Sequence, residues 1–421
     1  MSDKHEFNKR GRVAEELIGK LCEDAFFADF CFMNPLKDTG KELCDILVLL
    51  DEKAIVWQIK NQTKKVDGRF KQSEIETAIK QCRGAKKRLN ALGTLKLTNI
   101  NGKEKQIDTS KIREVYMIAA IEGGAEEIAG FFDDDSTRGN VHIFYDAFTR
   151  FAAKYLNTVT DFIEYLNKKE LFLEDKELII SGGEENLLAF FLKNARTFGE
   201  LETSGANMIF LDDENIADSF EKMNGLKRKL KADEWSKGWD ELIIKKREAL
   251  AIDDKEDIDI AKDKFLSKMM SHNRLERRLL GRIYFEAAVN AHELNPEIGN
   301  IGRRLVPTDN GVAYVFMFYG DESTPINELR KLLRLTTMAA RQAIPKNDMV
   351  IGIGTRQHMI ASSRSVGFEW VLIDTPFDEF QKDVGKDIHE FRKKTGTWMN
   401  PKVSGTSTDE YPTDPRLQTD S

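Results

Sequence analysis

The chain has 421 residues, of which 41% are hydrophobic and 32% charged, a composition that allows two or three folded domains and excludes fibrous and low-complexity classes. Its formal net charge of -7 excludes a surface that is basic throughout. No apolar run is long enough to cross a bilayer, so no membrane association is expected.

Val13, Leu17, Leu21 and Phe27 recur at helical spacing, widened by Ala14, Ile18, Cys22 and Ala25, and predict a helix from about Arg10 to Phe30. A loop marked by Pro35 and Gly40 follows. Asp45 then opens the run Ile46-Leu47-Val48-Leu49-Leu50, a strand buried on both faces. Asp51-Glu52-Lys53 makes a tight turn, and Ala54 to Lys60 returns as a second strand. A helix rich in Lys and Arg is expected from about Gln72 to Leu92. Strands follow at Val115 to Ile121 and Val141 to Tyr145, with loops at Gly123-Gly124 and Asp133-Asp134-Asp135.

Residues 151 to 300 read as mainly helical, with periodic segments at Phe148 to Leu166, Glu184 to Phe198 and Lys264 to His292. A second small α/β domain is expected from 301 to 403. It has strands at Val312 to Tyr319, Met349 to Ile353 and Phe368 to Ile373, and a helix from Pro325 to Ala343. Residues 404 to 421 are rich in Gly, Ser, Thr, Pro and Asp and are expected to be disordered. The fold class is therefore α/β: a core within 1 to 150, a helical middle and a second α/β domain.

Charge is uneven along this plan. Residues 60 to 105 hold 13 Lys or Arg against 4 Asp or Glu, whereas 161 to 214 hold 13 acids against 5 bases. The first stretch could hold phosphates; solvated helix faces are the plain alternative for both. Cys22, Cys31, Cys44 and Cys82 show no ligand-like pairing and read as reduced thiols. The start, Met1-Ser2-Asp3-Lys4-His5-Glu6, has no apolar segment behind a basic stretch, so a cytoplasmic protein is expected.

The hairpin concentrates the chemistry. Gln58 and Lys60 are two apart on one strand and share a face, and a short turn brings Asp45 opposite them. A carboxylate there can hold Mg²⁺ or Mn²⁺, which prefer oxygen ligands. A lysine beside it can orient a water or offset charge on a phosphate, while glutamine supplies a carbonyl oxygen but no base. A second acid is needed: Glu16 is favoured, one turn before Lys20, with Glu15 and Glu42 as alternatives. Lys64, Lys65, Arg69 and Lys71 follow the site strand and could contact a nucleic-acid backbone, a patch that Lys86, Lys87 and Arg88 could extend. Asp133 to Asp135 read as a solvated loop and His272 as part of a polar helix face. Gly352-x-Gly354 lacks the rest of a dinucleotide fingerprint, and His358 and Arg364 have no supporting neighbours.

The order of acid-bearing helix, Asp-led strand, tight turn, Gln-x-Lys strand and basic helix resembles the PD-(D/E)xK nuclease superfamily. It is most similar to the Mrr-like restriction-endonuclease branch, in which glutamine replaces the acid before the lysine. The resemblance covers residues 10 to 150, with Cys44 standing where the family pattern has proline. It implies a mixed sheet flanked by helices, with Asp45 as the metal-binding aspartate, Gln58 in the acid position, Lys60 as the catalytic lysine and Glu16 or Glu15 as the helix glutamate. The implied activity is metal-dependent endonucleolytic cleavage of nucleic acid, DNA before RNA. Similar architectures act as regulated effectors in bacterial antiviral defence, which implies a regulatory protein partner or a homo-oligomer. The alternative is a non-catalytic nucleic-acid or protein-binding module that keeps the fold.

Overall fold

The structure is a computed structural model that describes residues 2–35, 40, 42–61, 71–99, 102–123, 131–174, 176–250, 256–293, 301–319, 325–360, 363–399 and 409–412. Side chains are described for these except at 2–12, 246–250, 256–260, 291–293, 301, 357–360 and 363–368. The chain divides into two compact units, Met1–Leu226 and Lys227–Ser421, so the mainly helical middle is shared between them. Among the described residues no helix is long and apolar enough to cross a membrane.

The first unit opens with α1 (Ser2–Phe26), β1 (Cys31–Met33), β2 (Ile46–Leu50), β3 (Lys53–Asn61) and α2 (Gln72–Ala91). A hairpin of β4 (Thr94–Thr98) and β5 (Glu104–Asp108) leads to β6 (Glu114–Glu122), β7 (Phe132–Asp133) and β8 (Val141–Tyr145). The six-stranded sheet has the order β1-β2-β3-β6-β8-β7, and β3, β6 and β8 run parallel. β1, β2 and β7 are antiparallel to their neighbours, which makes the sheet mixed.

Alternation along these strands sorts their side chains onto two covered faces. On one face Ala85 and Leu89 of α2 pack on Leu47, Leu49 and Val56, and Ile75, Ile79 and Cys82 on Met117, Ala119 and Ile121. On the other Trp57 meets Phe144 edge-on at 5.7 Å, and Phe162 packs on Phe26 at 5.2 Å.

The expected stripe of α1 is rotated. Val13 and Leu17 are exposed, while Ala14, Ile18, Cys22 and Ala25 are buried. Close approach explains the preference for small residues. A Cβ at Gly19 would lie 2.8 Å from Met33 and 4.0 Å from Ile46, so bulkier side chains would hold the helix off the sheet.

The helix expected from Phe148 to Leu166 is two helices, α3 (Asp146–Tyr155) and α4 (Val159–Leu173). Thr158 separates them, its hydroxyl accepting from the Asp161 amide at 3.0 Å and donating to the Asp161 carboxylate at 2.7 Å. The unit then adds β9 (Glu177–Ile180), α5 (Glu184–Lys193), α6 (Glu200–Thr203), β10 (Met208–Leu211) and α7 (Ile216–Lys222). Strands β9 and β10 pair in parallel and were not foreseen.

α8 (Asn224–Ala232) spans the division between the units. The second unit continues with α9 (Glu234–Leu250), α10 (Glu256–Met270), α11 (Arg274–Glu293), β11 (Ile301–Pro307), β12 (Val312–Tyr319), α12 (Ile326–Ala343), β13 (Met349–Ile360), β14 (Ser363–Ile373) and α13 (Phe377–Thr395). Its sheet has the order β11-β12-β13-β14, with β12 and β13 parallel across the α12 crossover. Ala313, Val315 and Met317 pack with Leu329 and Leu333 of α12, and Tyr314 meets Trp239 of α9 at 5.2 Å.

Several weaker sequence features resolve here. Gly352 lets the helix reach the sheet, since a Cβ would lie 2.2 Å from the Thr337 hydroxyl. His272 is a core residue, not part of a polar helix face: it is fully buried, 2.7 Å from the Tyr314 hydroxyl. The side chains of His358 and Arg364 lie outside the described residues.

Part of the tail expected to be disordered is held. Arg278 donates to the Asp409 carbonyl at 2.9 Å, Arg228 donates to the Pro412 carbonyl at 2.8 Å, and Lys229 pairs with Glu410 at 3.4 Å. Residues 404–408 and 413–421 lie outside the described residues.

Candidate functional site

The two-residue turn Asp51-Glu52 sets the hairpin register, with Leu50 opposite Lys53 and Ile46 opposite Trp57. Asp51 takes a positive φ of 53°, which aspartate tolerates better than most residues. Asp45 therefore falls beside Gln58, its amide donating to the Trp57 carbonyl at 3.1 Å. Its Oδ2 accepts from the Gln58 amide nitrogen at 2.6 Å and from the Ile59 backbone amide at 2.5 Å. These bonds orient the carboxylate and leave Oδ1 without a hydrogen-bond partner among the described residues. The Gln58 carbonyl oxygen is likewise without one.

Asp45 is 8% exposed, and burial pushes its carboxyl up to about 6. The Ile59 amide and the Lys60 ammonium act against this, whereas the charges of Glu15 and Glu42 add to it. Lys60 lies two residues beyond Gln58 on the same strand face and is partly exposed.

The acid that bears on Asp45 from α1 is Glu15, not the favoured Glu16. Glu15 precedes Gly19 by one turn, on the helix edge that meets Met33 and Ile46, while Glu16 is exposed and is not among the charges acting on Asp45. Glu42 is exposed yet also acts on Asp45.

These residues fit a hard cation by donor chemistry. A fixed carboxylate offers one open oxygen, the adjacent amide carbonyl offers another, and two further acids add negative charge that the Lys60 ammonium opposes. The site is thin, however. Among the described residues no three His, Cys, Asp or Glu side chains are grouped to hold a metal ion.

The basic surface is divided. Lys64, Lys65 and Arg69 lie outside the described residues, while Lys71 is exposed and 3.6 Å from Glu74. Lys80 and Lys87 are exposed along α2. Two cations of that helix have structural partners instead: Arg88 donates to the Leu43 carbonyl at 3.0 Å, and Arg83 pairs with Asp133. Asp135 caps its own turn, accepting from the Thr137 and Arg138 amides at 3.1 and 2.8 Å.

A second acidic pair went unrecognised in the sequence. Glu122 ends β6 in register with Asn61, next to Lys60, and Asp146 follows β8. Glu122 is 4% exposed, and burial followed by the Asp146 charge raises its carboxyl to about 7. Arg150 lies 3.7 Å away, and the Gly123 amide donates to Asp146 at 3.0 Å. The available signal was an acid directly after each apolar run, at the carboxyl ends of what prove to be parallel strands.

Comparison with protein-family models, with curated proteins and with solved structures gave no match.

Proposed function

We propose that the first unit is a metal-dependent phosphodiesterase that cleaves nucleic acid, with DNA as the preferred substrate. The observation that carries this reading is the Asp45–Gln58–Lys60 constellation: a buried carboxylate fixed by two donors, with an open oxygen and a lysine on the adjacent strand. Asp45, Gln58 and Glu15 would hold Mg²⁺ or Mn²⁺, which when bound supplies Lewis-acid polarisation of the phosphate and a more acidic water. Lys60 would place its ammonium against a non-bridging phosphate oxygen, where negative charge builds as water attacks. The exposed Lys71, Lys80 and Lys87 would hold the substrate backbone without reading its sequence.

The second reading, a binding module without turnover, is favoured by the absence of a three-acid group among the described residues and by the amide at position 58. Incubating the purified protein with supercoiled DNA separates the two. Nicking or linearisation that needs Mg²⁺ or Mn²⁺ and stops with EDTA is expected of the phosphodiesterase. Tight DNA retention with intact circles under every metal condition would establish the binding module.

A further inference from the structure

Helix α13 ends at Thr395, and Gly396 caps it with φ of 71°. The turn that follows, Thr397-Trp398, is held by arginines from two different elements. Arg303 of β11 donates to the Thr397 hydroxyl at 3.1 Å. Arg392 of α13 donates to the Trp398 carbonyl at 2.6 Å and to the Gln342 side chain of α12 at 3.2 Å. The Thr395 hydroxyl donates to the Phe391 carbonyl at 2.8 Å and lies 2.8 Å from that of Thr397, and the Trp398 indole donates to the Thr336 carbonyl at 3.0 Å. Six polar side chains, from β11, α12, α13 and the turn itself, thus gather here.

Their charges are not balanced. Two buried arginines of this unit sit on carboxylates: Arg277 donates to Asp240 at 2.8 Å, and Arg278 reaches Asp233 at 2.6 Å. Arg303 and Arg392 make no ion pair among the described residues, and no carboxylate is among the charges acting on either. Among the described residues the Nε–H of each is buried without an acceptor. A cation partly withdrawn from water without a counter-charge carries a cost, and buried donors without acceptors add to it. A bound anion at this turn would offset both.

We propose that Arg303 and Arg392, with the Thr397 hydroxyl, form a binding site for a phosphate-type oxyanion. Two guanidinium forks with an added hydroxyl suit an anion that has acceptor oxygens in several directions, whereas one fork already serves both oxygens of a carboxylate. The anion is free phosphate or the phosphate group of a nucleotide. This site lies in the second unit and does not rest on the catalytic reading of the first.

Calorimetric titration of the full-length protein tests the assignment, with EDTA present and ionic strength held constant. Inorganic phosphate should bind saturably at one site per chain, and acetate and chloride should give no such response. Arg303→Gln and Arg392→Gln should each weaken phosphate at least tenfold, whereas Lys60→Ala should leave it unchanged. Thr397→Val keeps the side chain's shape while removing the hydroxyl to which Arg303 donates, so it should fold while binding phosphate several-fold more weakly. It therefore decides the matter should the arginine variants fail to fold. Tighter binding of AMP than of phosphate would assign the site to nucleotides; equal binding would assign it to the free ion. No saturable phosphate binding by the wild-type chain, an unchanged affinity in the folded variants, or loss of binding in Lys60→Ala would each overturn the proposal.

Discussion

Burial holds the Asp45 carboxyl at about 6 although the Ile59 amide and the Lys60 ammonium favour its ionised form. Between an ordinary value of 3.8 and this one, the folded protein keeps a proton that the unfolded chain has released. Stability therefore falls as pH rises through that window, and above it the whole penalty remains, up to about 3 kcal/mol. Asparagine keeps an oxygen for both donors and carries no charge. Asp45→Asn should accordingly stabilise the fold by about 1–3 kcal/mol at pH 8 and by little at pH 4. Urea unfolding at the two pH values measures this, and an equal gain at both would show that ionisation is not what burial opposes. The Asp45, Gln58 and Lys60 placement was legible because a two-residue turn leaves one register for the hairpin. Glu122 and Asp146 were not, because they become neighbours only once β6 and β8 lie in parallel beside β3.

Helix α1 shows why a pattern can give the right element with the wrong face. Large apolar residues at 13, 17 and 21 outweigh alanine and cysteine on any hydrophobicity count, yet the helix packs through Ala14, Ile18, Gly19 and Cys22. Close packing on β1 and β2 selects small side chains, a requirement that belongs to the sheet beneath and is invisible in the helix alone. The same rotation exchanges Glu15 for Glu16 at the site. Titration with Mn²⁺ should thus show at least tenfold weaker binding in Glu15→Gln and wild-type affinity in Glu16→Gln. The opposite order would mean that α1 lies in the phase its large residues suggest. Strands β4, β5, β9, β10 and β11 were missed for another reason. β4, β5, β9 and β10 have only four or five residues each and are partly exposed along their length, and β11 carries Gly302, Arg303 and Arg304 in place of an apolar run.

At the level of the whole chain, an α/β plan with a helical middle was legible from periodicity, whereas the division at Leu226 was not. Charge composition does not separate cations that tie elements together from those that could meet a substrate. Arg83, Arg88, Arg277 and Arg278 are of the first kind, and Lys71, Lys80 and Lys87 of the second. The central claim is that the first unit breaks phosphodiester bonds at Asp45, Gln58 and Lys60. The most direct measurement compares cleavage of circular DNA in Mg²⁺ by the wild-type chain and by Lys60→Ala, with Mn²⁺ and DNA affinities determined on the same preparations. The account requires Lys60→Ala to fold, to bind the metal and DNA within a few-fold of wild type, and to lose cleavage by at least a hundredfold, about 2.7 kcal/mol of transition-state stabilisation. Undiminished cleavage by the folded Lys60→Ala protein, or no cleavage by the wild-type chain, would contradict it.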